Sequence, residues 1–411
     1  MRRTGPAALA GSCAAIFWPG AFIFGLPGVM AQHWQTSFHI GRGAVGRTLF
    51  FVLAAVGIFM FLTGRWQEKA GARRLVALGV VLCGASTLLL GRAPGIGFVY
   101  LWAFAVGVSS SLIYIPSLTV VQQWFPRRRG LASGLVNLAF GFSAAVMSPL
   151  FSRMILHLGA SNTTLLLGAG ALIFGLAAVP LVNPPDPACT PPRATAAKPP
   201  PALGPSLSVS QSLRTRAFWL LWLTWALAGA AGISMVTLST SFGLAGGLPV
   251  HEAVLILTAF NMTNGLSRLL SGFLSDFFGR NATMAVTFLA AGCAYLLFGH
   301  VQGLVPWSVL ATVVGFAFGT LFAVSAPLAG DCFGMKHFGA IFGLVFTAYG
   351  FVAGVVGPWL SGYVLDVTRG DFTLVFNYLG AFCLASAVLI WFARPGSVKP
   401  PQGGSPHPTP G

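Results

Sequence analysis

Polar positions along this chain are sparse and gathered into short clusters between long apolar runs. Crossing a bilayer takes about 20 consecutive apolar residues, because a helix there must satisfy its own backbone polar groups. Runs of that length are expected near residues 7–32, 44–64, 75–93, 96–123, 131–156 and 163–182. They recur near 217–243, 250–275, 281–300, 305–330, 338–364 and 373–393. The pattern predicts an all-α membrane protein of twelve spans, arranged as two six-helix halves over residues 1–182 and 217–394. The first run follows Arg2 and Arg3 but is too long for the apolar core of a signal peptide, so it reads as an uncleaved first helix.

Between the halves, residues 183–216 carry nine prolines, among them Pro184, Pro185, Pro199, Pro200 and Pro201. Proline at this density cannot propagate a helix, so the segment reads as a linker. The tail 395–411 has the same character and reads as disordered.

Basic residues lie mostly on one side. With the amino terminus in the cytoplasm, seventeen Lys and Arg fall in cytoplasmic segments and five (Arg42, Arg47, Arg92, Arg153, Arg369) on the other side. That bias places both termini and the linker in the cytoplasm of a cell (inner) membrane. An internal repeat supports the count independently. GRWQEKAGARR after span 2 matches GFLSDFFGRN after span 8 at an offset of 208, pairing Gly64 with Gly272, Glu68 with Asp276 and Gly71 with Gly279. Spans 5 and 11 match at an offset of 209, where Gly130, Gly134, Gly141 and Pro149 meet Gly339, Gly343, Gly350 and Pro358. A repeat that preserves orientation relates the halves by an axis along the membrane normal.

Composition agrees. Hydrophobic residues make up 55% of the 411 and charged residues 7%, against about 25% in soluble chains. The net charge of +16 does not mark a nucleic-acid binder, because the basic residues punctuate apolar runs and gather on no soluble face. Six scattered cysteines and seven dispersed histidines hold no metal-ligand spacing, and no nucleophile motif is present. Neither a metal, a cofactor nor an enzymatic activity is expected.

The motif G-x-x-x-D/E-x-x-G, followed by basic residues after spans 2 and 8, resembles the major facilitator superfamily over roughly residues 7–394. The resemblance implies a gate: Gly64, Gly71, Gly272 and Gly279 for close helix approach, Glu68 and Asp276 to pair with Arg73, Arg74 and Arg280. A narrower likeness lies in Trp124-Phe125-Pro126-Arg127-Arg128-Arg129-Gly130-Leu131-Ala132-Ser133-Gly134, Leu213-Arg214-Thr215-Arg216-Ala217-Phe218-Trp219 and Asn264-Gly265-Leu266-Ser267-Arg268. These segments are similar to the monocarboxylate porters and the oxalate/formate antiporters. The porters' first-helix pattern survives only as Pro19-Gly20-Ala21-Phe22-Ile23-Phe24, without its acidic residue and Trp.

Arg268 is the one charged residue well inside any expected span, where insertion of an ionic group costs at least ~2.5 kcal/mol. It reads as an anion-binding residue, with snorkelling to the headgroups or pairing with Asp276 as alternatives. Its planar fork matches a carboxylate bidentately and stays charged. Asn264 lies one turn earlier on the same helix face. The resemblance further implies a cage of Tyr114, Phe140, Phe318, Phe322 and Phe342, with Tyr349 beside it, and places Val345 where the oxalate/formate carriers have a second, lysine anchor. One cationic anchor implies one carboxylate. The expected function is therefore alternating-access transport of a small monocarboxylate such as lactate, pyruvate or propionate, and the resemblance to the monocarboxylate porters implies coupling to protons. A carboxylate exchanger of the oxalate/formate type is the alternative.

Overall fold

The computed structural model describes residues 4–40, 42–185 and 206–394. The proline-dense part of the linker and the tail therefore lie outside the described residues. All regular structure in the described residues is helical.

The first half consists of α1 (Gly5–Phe24), α2 (Leu26–Phe38), α3 (Arg42–Ala70), α4 (Ala72–Leu90), α5 (Ile96–Trp124) and α6 (Arg129–Ala178). α1 and α2 form one bent span around Gly25. At 50 residues α6 would reach about 75 Å if straight, more than twice the ~30 Å hydrocarbon thickness. It turns at Gly159, whose φ of 76° lies in the left-handed region open to glycine, so its two arms supply the fifth and sixth spans. Eleven apolar helical segments among the described residues thus make twelve crossings.

A short α7 (Val209–Leu213), opened by a Ser208/Gln211 capping box, ends the linker. The Leu207 N–H donates to the Phe333 carbonyl at 2.9 Å, tying this end to the second half. That half comprises α8 (Arg216–Ala245), α9 (Val250–Phe278), α10 (Arg280–Leu297), α11 (Leu304–Phe333), α12 (Phe338–Val345), α13 (Gly354–Val367) and α14 (Phe372–Trp391). The expected span 338–364 is not one continuous α-helix. A π-helical segment, Ala348–Ala353, separates α12 from α13. Widened turns of this kind re-aim side chains and are frequent at functional sites.

Small residues set the packing, and they do so twice. A Cβ on Gly107 would lie 2.6 Å from the Val52 carbonyl oxygen, and one on Gly315 would lie 2.3 Å from that of Phe260. Both pairs are related by the offset of 208, so the repeat seen in the sequence is a repeat of helix contacts. Large apolar side chains such as Leu101, Leu156 and Phe277 stay exposed on the outer faces, where lipid solvates them. The chain is a multi-pass membrane protein.

Candidate functional site

The halves meet along two pseudo-equivalent crossings, α6 against α9 and α3 against α12. At the first, a Cβ on Gly130 would sit 2.2 Å from the Gly272 carbonyl oxygen, and one on Gly272 would sit 2.5 Å from that of Gly130. At the second, a Cβ on Gly64 would meet the Gly339 carbonyl at 2.1 Å. Only glycine lets these backbones touch, and the contact closes the bundle at the end carrying the basic loops. We call this the basic end.

Polar groups lock the same end. The Asp276 carboxylate accepts the backbone N–H groups of Gly130 (3.1 Å) and Leu131 (2.9 Å), in the first turn of α6, and pairs with Arg280. An anion at a helix N-terminus also meets the positive end of the helix dipole. Asp331 extends the cluster, binding Arg129 at 3.0 Å and Arg280 at 3.4 Å. Sequence reasoning missed the Arg129–Asp331 pair. The available signal was that Asp331, one of seven acidic residues, directly follows an expected span.

The pseudo-equivalent lock differs. Glu68 pairs with His337 Nδ1 at 2.8 Å, at the N-cap of α12. The expected partners Arg73 and Arg74 are exposed and join no ion pair among the described residues. The repeat register gives the reason: the position equivalent to Arg280 is Ala72, so both arginines leave α4 further around the helix, toward solvent. Gly71 and Gly279 hold equivalent left-handed turns at φ 79° and 90°.

Above the gate lies a cavity that extends away from the basic end, to Leu49 on α3 and Phe24 on α1. Its wall is symmetric in position but not in chemistry. Tyr114 and Phe322 are repeat equivalents, as are Phe140 and Tyr349, and all four line it. Met60, which also lines it, is the equivalent of Arg268.

Arg268 itself is 2% exposed and lies just behind the wall. Its guanidinium carbon stands 4.5 Å over the Phe322 ring. Nη1 donates to the Asn137 carbonyl at 3.3 Å, while Nε and Nη2 reach Asn264 Oδ1 only at 3.5 Å. No carboxylate pairs with it among the described residues, and Asp276 is engaged at the gate. Gly141 makes the room: a Cβ there would lie 3.0–3.2 Å from the guanidinium atoms. The Tyr114 hydroxyl donates to Asn137 Oδ1 at 2.8 Å, so one asparagine side chain and backbone link the cavity wall to the arginine.

Other expected cage residues fall elsewhere. Phe342 is fully buried, stacked on Phe338 and edge-on to Phe346. It is Phe346, one turn on, that faces the cavity. Phe318 touches the edge of Phe322 without lining the cavity, and Val345 is buried outside it. Both shifts on α12 follow from the helical phase there, which brings Phe346 and then Tyr349 to the wall. Asn137, Ser110, Phe346 and Met60 were not read from the sequence. Trp225, also missed, packs against Phe322, Phe346 and Tyr349 with its indole N–H unpartnered.

Comparison with known proteins agrees with this architecture. The family profile described as Major Facilitator Superfamily matches residues 9–250 and 231–410. The chain is similar to monocarboxylate transporter 11 of Homo sapiens, 30% identical over 381 residues, which covers 88% of this chain and 76% of that protein. It is also similar to the oxalate:formate antiporter of Oxalobacter formigenes, 25% identical over 340 residues covering 81% and 79%. Among solved structures, the E. coli fucose:proton symporter FucP superposes with a TM-score of 0.69 at 15% identity, over 95% of this chain and 99% of that one.

Proposed function

Because the chain belongs to the major facilitator superfamily of membrane transporters, we propose that it is a secondary carrier of monocarboxylates, with Arg268 as the carboxylate anchor. One observation carries the reading. Arg268 is a guanidinium withdrawn from water, with three long hydrogen bonds and no acidic partner among the described residues. An uncompensated buried charge is costly, and a fold retains one where a ligand supplies the missing charge. Similarity to a monocarboxylate transporter and to an oxalate:formate antiporter supports an organic anion as that ligand. The position equivalent to Arg268 is Met60 and Val345 is uncharged, so one cation favours one carboxylate over two. Three-carbon acids such as lactate and pyruvate are small members of this class.

Transport follows from the two ends of the bundle. The basic end, assigned to the cytoplasm of the cell (inner) membrane by its charge, is closed by the Asp276 and Glu68 locks. The cavity extends toward the opposite face. Substrate binding from that face draws the halves together around Phe140, Tyr349, Tyr114 and Phe322, and the two locks then release. Because Arg268 and Gly141 belong to different halves, a bound carboxylate bridges them and biases the closure.

We take coupling to be proton symport. The acid brings its own proton, bound beside Arg268 and Asn264. Anion exchange is the second reading, and the cavity wall favours it in one respect, having no Asp, Glu, His or Lys among the described residues. Proteoliposomes separate the two. Under symport, an inward proton gradient drives monocarboxylate accumulation and a protonophore abolishes it. Uptake indifferent to the gradient, but stimulated by carboxylate on the opposite side, would establish exchange. Absence of carboxylate uptake under either condition would sink the proposal.

A further inference from the structure

Building on the carboxylate reading, we infer that the substrates are amphipathic monocarboxylates with an extended apolar body, aliphatic or aromatic, so that lactate-sized acids are poor ligands. The cavity follows one face of α3. Leu49, Val52, Leu53, Val56 and Met60 all line it, at a spacing that stacks them on a single stripe. From Leu49 to Met60 the stripe rises about 16 Å. A three-carbon acid held near Arg268 would touch only the inner part of that stripe.

The chemistry of the wall points the same way. Ile23, Phe24, Phe140, Phe322 and Phe346 continue the apolar surface on the other sides. The polar side chains on it are the hydroxyls of Ser110, Tyr114 and Tyr349. Tyr114 donates its proton to Asn137, whereas Ser110 and Tyr349 have no hydrogen-bond partner among the described residues. Tyr114 and its neighbours lie at the inner end, beside Arg268, where a carboxylate would sit. Outward from them the α3 stripe offers nothing to hydrate an anion or to pair with the hydroxyl of a hydroxy acid, and an unpaired hydroxyl against such a wall is penalised. A methylene chain or a phenyl ring gains from the same surface.

The test is competition binding by purified protein against the straight-chain acids from acetate to octanoate, with lactate, benzoate and phenylpropionate alongside. The matched neutral amides control for partitioning into detergent. The expected result is affinity rising by roughly fourfold per methylene through hexanoate, lactate no tighter than acetate, and no competition by the amides. Val56→Thr, which puts a hydroxyl on the stripe at nearly constant volume, reduces that slope, and Arg268→Gln removes binding of the whole series. A flat series in which every acid still requires Arg268 would overturn the extended-body inference and leave the carboxylate reading standing. Amides that compete as well as their acids, or a series indifferent to Arg268→Gln, would overturn the carboxylate reading and this inference with it.

Discussion

Replacing Asp276 with Asn removes the strongest single lock on the basic end, and the structure sets the size of the effect. The carboxylate accepts two backbone N–H bonds from the first turn of α6 and pairs with Arg280 in a nearly buried setting. Asparagine has one acceptor oxygen, so one N–H loses its partner and the amide N–H₂ faces a donor. A hydrogen bond to a charged group contributes ~1.5–3 kcal/mol, and the helix-terminal charge adds ~0.3–1 kcal/mol. A loss of about 3 kcal/mol from the closed gate lowers the ratio of closed to open molecules by about 100-fold. Pulsed electron resonance can follow this between spin labels at Arg127→Cys and Phe278→Cys, two exposed sites on opposite halves, with the native cysteines replaced. The longer-distance population should grow markedly in Asp276→Asn. An unchanged distance distribution would refute the assignment of Asp276 as a gate lock.

Glu68→Gln should shift the same equilibrium far less, by at most about fivefold, because the Glu68–His337 pair is partly exposed and such pairs contribute ~0–1 kcal/mol; the same spin-label pair reports it. Gly130→Val places a side chain where the Gly272 carbonyl stands 2.2 Å from the would-be Cβ, so it should hold the basic end open and stop transport while thermal stability in detergent stays near wild type. Gly141→Ala presses on the guanidinium from 3.0 Å and should weaken carboxylate binding about tenfold through displaced charged hydrogen bonds, read by calorimetry against wild type.

Much of the architecture was legible because the bilayer imposes strong rules on sequence. Twelve spans follow from run length. The repeat offsets made Gly64 and Gly272 equivalents, and Gly130 and Gly339, but which of them touch emerged only from the docked halves: Gly64 meets Gly339 and Gly130 meets Gly272. What escaped was local phase. The π-helical segment at Ala348–Ala353 leaves no compositional mark, yet it accompanies the choice of Phe346 over Phe342 for the wall. Arg268 could be singled out by the cost of its charge alone. That it would stand behind Phe322, held through Asn137, depends on how two halves dock, which no helix encodes by itself. The gate shows the limit of motif reading. Arg280 pairs as expected, whereas Arg73 and Arg74 match the motif's composition and miss its register by one and two residues.

The central claim, that Arg268 anchors the carboxylate of a transported monocarboxylate, is tested most directly by uptake of labelled pyruvate and phenylpyruvate into proteoliposomes. Both acids are strong enough to remain charged and leak slowly. The account predicts that wild-type protein accumulates phenylpyruvate, and pyruvate more slowly, above protein-free vesicles, that Arg268→Lys retains a reduced rate, and that Arg268→Gln falls to the protein-free rate with its fold intact by thermal melting. Uptake by Arg268→Gln at the wild-type rate would contradict it.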